Sequence, residues 1–126
     1  MHKLNFGTSG IPLSTIPRDT INGIAQVKKL NLDSMELEFV RAINIKAEKA
    51  PLVKAAAKQH DVILTCHGQY WVNLNSKDPA VASASIQRII DAATRAYECG
   101  AWSICFHMAF YGGQLHDIAY ENIKKN

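Results

Sequence analysis

Cysteine is scarce in this chain, and Cys66, Cys99 and Cys105 contain no C-x-x-C pair. An odd number of thiols without paired spacing argues against a disulfide framework, so three reduced, core-resident cysteines are expected. Long apolar runs are absent too. No stretch approaches the ~20 residues that cross a bilayer, and the N-terminus lacks a charged-then-apolar leader, so a soluble cytoplasmic protein with no membrane partner is expected. Basic blocks are also missing. With 14 Lys and Arg against 11 Asp and Glu, the formal charge of +3 is too small and too dispersed to identify a polyanionic partner. Low-complexity segments and interdomain linkers do not occur either. At 48% hydrophobic content, residues 1–126 are read as one domain around one core.

What is present is alternation. Leu4 to Gly7 opens as a strand, and a loop leads to a helical pattern from Asp19 to Asn31 carrying Ile21, Ile24, Val27 and Leu30. Met35 to Val40 is the second strand, Pro51 to His60 a helix with proline in its first turn, and Val62 to Cys66 the third strand. Asp78-Pro79 caps and starts the longest helix, with an apolar stripe of Ala82, Ile86, Ile89, Ile90, Ala93 and Tyr97 ending at Gly100. Trp102 to Phe106 is the fourth strand, and Gly112-Gly113 leads to a last helix, Leu115 to Lys124. Gly7, Gly10, Gly112 and Gly113 read as turn residues.

Strand and helix alternating four times imply a parallel sheet with right-handed crossovers. Period-two parity then sorts the strand residues. Leu4 and Phe6, Met35, Leu37 and Phe39, Leu64 and Cys66, and Trp102, Ile104 and Phe106 are mostly bulky and belong beneath the helices. Asn5, Glu36, Glu38, Thr65, His67, Ser103, Cys105 and His107 share the opposite face. A doubly wound sheet would bury Glu36 and Glu38 in an apolar layer at high cost, whereas the polar interior of a barrel accepts them. The fold class is therefore α/β, the N-terminal half of a (βα)8 TIM barrel built from four βα units. A complete barrel needs about 250 residues, so the first and fourth strands are left as open edges.

His67 and His107 each follow an apolar run and stand at the C-terminal end of a strand, the end at which barrels build their sites. Alone, either histidine is more often a core or capping residue than a ligand; in register, the pair points to a metal site. A catalytic zinc takes three protein ligands and a water, and Glu38, inward near the end of the second strand, is a further candidate ligand. Cys105 shares the parity of His107 but reads as a buried thiol. Tyr70 and Trp71 follow His67 and are able to stack on bases or close the loop. Arg41 could meet a phosphate or be solvated. His2, His60 and His116 read as surface residues.

Phe6-Gly-Thr-Ser-Gly-Ile-Pro-Leu-Ser, Leu32-Asp-Ser-Met-Glu-Leu-Glu-Phe-Val-Arg41, His67-Gly-Gln-Tyr-Trp-Val-Asn-Leu-Asn75 and Phe106-His-Met-Ala-Phe-Tyr111 together resemble endonuclease IV, the zinc-dependent apurinic/apyrimidinic endonuclease, especially its archaeal branch. The His-x-x-Tyr-x-x-Asn-Leu segment is the most specific of these. The resemblance runs the length of the chain but covers only the N-terminal half of that family's barrel. It implies a trinuclear zinc (Zn2+) site that cleaves abasic double-stranded DNA on the 5′ side of the lesion in base-excision repair. His67 and His107 match two family histidines that share one zinc, and Tyr70 matches an aromatic residue on a DNA-penetrating loop. The bridging carboxylates and other histidines of the family come from strands five to eight, which this chain lacks. Activity is then expected only with a complementary C-terminal half-barrel, and self-association is the alternative cover for the open edges. The other xylose isomerase-like barrels, sugar isomerases and epimerases, share the framework and form the alternative enzyme reading; a non-catalytic half-barrel subunit is the third.

Overall fold

The computed structural model describes residues 4–126. Four strands, β1 (Gly7–Ser9), β2 (Ser34–Glu38), β3 (Ile63–His67) and β4 (Ser103–Cys105), alternate with α1 (Thr20–Lys29), α2 (Ala50–His60), α3 (Pro79–Glu98) and α4 (His116–Lys125). All neighbours are parallel, and spatial order equals chain order, β1-β2-β3-β4. This is the half-barrel expected from the alternation, with β1 and β4 at its edges.

Local chemistry explains the boundaries. The Asp19 carboxylate accepts from the Asn22 N–H and caps α1, and Asp78 accepts from Ala80 N ahead of Pro79 to start α3. Asp61, in a left-handed conformation, stops α2, and Gly100 at φ 80° follows the end of α3. One sheet face lies under the helices. Met35, Leu37, Leu64 and Cys66 there are at most 3% exposed and pack with Ile24, Val27, Phe39, Val53, Ala92 and Ala96.

Several expectations are corrected. The first strand is Gly7–Ser9, not Leu4 to Gly7, and Leu4 and Phe6 are exposed rather than beneath helices. β1 lies close against β2 at Gly7: a Cβ there would lie 2.1 Å from Ser34 Oγ and 2.3 Å from its carbonyl oxygen. Gly7 therefore serves close approach, not a turn; Phe6 O accepts from Asp33 N and Ser34 N, yet the Phe6 side chain is exposed at this edge of the sheet. Trp102 N donates to Leu64 O at 2.7 Å, but its side chain is 84% exposed at the open edge of the sheet. Cys105 is exposed instead of core, because no layer among the described residues covers its face of the sheet.

The apolar stripe of α3 is also turned. Its buried residues are Ala82, Ser85, Ala92 and Ala96, whereas Ile90 and Tyr97 are exposed. Small side chains let α3 approach the sheet, and Ser85 satisfies its hydroxyl by donating to Val81 O and accepting from Asn73 N. In α1 likewise, Ile24 and Val27 are buried but Ile21 and Leu30 are exposed. His2 lies outside the described residues.

Candidate functional site

The uncovered sheet face carries two cross-strand rows. Ser9, Glu36, Thr65 and Ser103 are register partners, and one step nearer the strand ends Glu38, His67 and Cys105 form the next row. Parallel strands lie about 4.8 Å apart, so each row is a line of neighbouring side chains. The ladder is prolonged past the strand ends by Phe39 N to His67 O at 2.9 Å, Gly68 N to Cys105 O at 2.8 Å and Tyr70 N to Val40 O at 3.0 Å. The three strand tips are thereby held in fixed relation.

Here the two sequence-predicted histidines meet. The His67 and His107 ring centroids are 5.4 Å apart, and Tyr70 lies 5.3 Å from His67 and 5.6 Å from His107. His67 Nδ1 is 2.8 Å from the Gly68 carbonyl oxygen. A carbonyl only accepts, so this contact assigns the proton to Nδ1 and leaves Nε2 with a free lone pair, the arrangement that orients a metal-binding imidazole. Two imidazoles on one tetrahedral zinc, with Zn–N bonds of about 2.0–2.1 Å, hold their centroids about 5 Å apart. The observed spacing fits that separation.

The rest of the expected site is arranged differently. Glu38 neighbours His67 in register, yet its Oε1 accepts from Ser9 Oγ at 2.7 Å. Among the described residues no group of three or more His, Cys, Asp and Glu side chains could hold a metal ion. The imidazole pair thus supplies two ligand positions and no third. Arg41 and Trp71 are exposed, Tyr70 is half-exposed, and His116 stacks on Tyr111 with ring centroids 4.5 Å apart.

The carboxylates beneath the rim have their own electrostatics. Burial, followed by the hydrogen bond and charge of Glu38, pushes Glu36 above the ordinary carboxyl range. Cys105 Sγ lies 3.6 Å from Glu36 Oε1, and its thiol is raised by burial first and by the Glu36 charge second. A cavity of about 250 Å³ opens beside this pair, lined in part by Ser9, Arg18, Glu36, Glu38 and Asn44.

Two participants escaped the sequence reasoning. Ser9 gave no signal, since its role exists only once β1 lies beside β2. Asn75 sits inside the His67–Asn75 segment, but nothing in the sequence distinguishes it from Asn73.

Residues 24–126 match the family described as the xylose isomerase-like TIM barrel. An uncharacterized protein of Methanocaldococcus jannaschii is 34% identical over 123 residues, which cover 98% of this chain and 43% of that protein. The crystal structure of D-psicose 3-epimerase in the presence of D-fructose matches 97% of the chain and 45% of its own, at 17% identity and a TM-score of 0.74. Endonuclease IV from Thermus thermophilus matches 95% of the chain and 44% of its own, at 15% identity and a TM-score of 0.65. The chain spans less than half the length of each of these proteins.

Proposed function

Since the chain belongs to the xylose isomerase-like TIM barrel family, we propose that it supplies the N-terminal half of a metal-dependent barrel whose reaction is phosphodiester hydrolysis 5′ to abasic sites in double-stranded DNA. The observation that carries this reading is the ring cluster, two imidazoles at the spacing of ligands on one zinc with Tyr70 against both. Bound zinc would supply a Lewis acid toward a phosphate oxygen and a hydroxide near neutral pH. His67 donates its Nδ1–H to the Gly68 carbonyl and presents Nε2; His107 offers the second nitrogen. Glu38 pairs with His67 in register but is bonded to Ser9, and among the described residues it is not grouped with the histidines as a third ligand. Tyr70 and Trp71 offer rings for base stacking, and the exposed Arg41 offers a guanidinium to a phosphate. The remaining ligands come from a complementary C-terminal half-barrel, which also covers the β1 and β4 edges; a second copy of this chain would cover the edges without supplying them.

One observation favours a second reading. Glu36 and Glu38, on one face of β2, line a cavity of about 250 Å³ that also offers Ser9, Arg18 and Asn44, a donor and acceptor set suited to a polyol. That arrangement is compatible with sugar epimerisation. Assembly of this chain with strands five to eight of a relative separates the two. Zinc-dependent nicking of an abasic duplex, abolished by His67→Ala, is the expected result. Ketose epimerisation with manganese or magnesium and no nicking replaces it with the sugar reading, and neither activity rejects both.

A further inference from the structure

We infer that Asn75 is a positioning residue that sets the separation of His67 and His107 by tying the loop after β3 to the loop after β4 and to α4. Its metal readout rests on the zinc reading above, but its structural readout does not. Asn75 is 2% exposed, and every hydrogen-bonding position of its amide is used. Nδ2 donates to the carbonyl oxygens of Phe110 at 2.9 Å and Tyr111 at 3.3 Å; Oδ1 accepts from Asn122 Nδ2 at 2.9 Å and Gln114 Nε2 at 3.3 Å. One side chain therefore joins the segment following His67 to the segment following His107 and to the middle of α4.

His107 needs such an anchor because it lies beyond Cys105, the last residue of β4, and is itself exposed. What fixes its place is whatever holds residues 108–111. The bonds that do so converge on one short stretch: Leu74 N to Met108 O at 2.9 Å, Phe110 N to Asn73 Oδ1 at 3.3 Å, and the two donations of Asn75. The helix depends on the same stretch. Ala119 is the buried residue of α4, and Asn122 and Asn126 reach Asn75 and the Leu74 carbonyl. Only an amide both donates and accepts in this geometry. Aspartate would keep the two acceptances and lose the two donations, and leucine would fill the volume while bridging nothing.

The test compares wild type, Asn75→Leu and Asn75→Asp by three measurements on the whole chain. These are amide exchange, ring-proton contacts among His67, Tyr70 and His107 without metal, and zinc affinity by competition with a chromophoric chelator. In Asn75→Leu the α4 amides should lose protection and the His67–His107 ring contact should vanish, while Leu64 and Cys66 amides stay protected. Zinc affinity should fall about 10-fold or more, the range for residues that support ligands. If Asn75→Leu unfolds the sheet as well, Asn75→Asp decides by the same readouts. Intact ring contacts in the variant overturn the inference, and so does lost α4 protection with the rings and zinc affinity unchanged, which leaves Asn75 a stability residue only. A wild-type chain that binds no zinc defeats the zinc reading alone, and the ring contacts still decide the role of Asn75.

Discussion

Replacing Phe39 with alanine probes the packing directly beneath the candidate site. Phe39 is the largest side chain with no exposed surface, it follows β2, and its N–H donates to His67 O at 2.9 Å. A buried aromatic residue removes about 150–250 Å² from water. At about 25 cal/mol per Å² that corresponds to about 4–6 kcal/mol, and Phe→Ala changes in closed cores cost about 3–5 kcal/mol. A loss of about 4 kcal/mol is expected, a large share of the roughly 6–19 kcal/mol that 0.05–0.15 kcal/mol per residue gives this length. With an unfolding entropy of about 2.1 cal/mol/K per residue, the midpoint should drop by about 15 °C. Urea titration followed by far-UV circular dichroism, at matched protein concentrations so that association does not intrude, measures the difference. Phe39→Leu should fall between the two. A loss under about 1 kcal/mol would refute the packing of Phe39 as a closed core contact and with it the rigidity ascribed to the β2 and β3 tips.

The isolated chain should take up zinc weakly, and His67→Ala or His107→Ala should abolish uptake in elemental analysis after dialysis; equal uptake by the double variant rules this pair out as ligands. Asp19 is held below its ordinary value of 3.8, first by the Asn22 backbone hydrogen bond. Its capping contribution is therefore complete above 3.8 and lost as pH falls through the lowered value. Asp19→Ala should cost about 1 kcal/mol at neutral pH and nothing in strong acid, with an unchanged penalty across that range counting against the ionised cap. Under native conditions a thiol reagent should modify Cys105 alone, because Cys66 and Cys99 are buried with thiols pushed up to about 12 and about 11; labelling of all three before unfolding contradicts their burial. Sedimentation of the chain alone should show self-association or aggregation, without nicking of abasic DNA. A stable monomer that nicks abasic DNA by itself would overturn the half-barrel reading.

The order of elements was legible in the sequence because it depends on local chemistry. Asp19, Asp78-Pro79 and Gly100 mark helix ends by hydrogen bonds and φ preferences that act within a few residues, and the alternation of Met35, Glu36, Leu37 and Glu38 assigns faces by the geometry of a strand. The same parity put His67 and His107 on one face, so their meeting was legible in the sequence, although His67 pairs with Cys105 and His107 lies two residues past the end of β4. Tertiary structure decided what parity and periodicity leave open. Leu4, Phe6 and Trp102 are exposed because they lie at the two edge strands, where one side of the sheet has no neighbour. The buried side of α3 was chosen by volume, since Ala82, Ser85, Ala92 and Ala96 let the helix reach the sheet where Ile90 and Tyr97 could not. Ser9 with Glu38, and Asn75 with Phe110, Tyr111, Gln114 and Asn122, join residues distant in the chain. Such contacts are written in no local pattern; they exist only when the strands lie side by side.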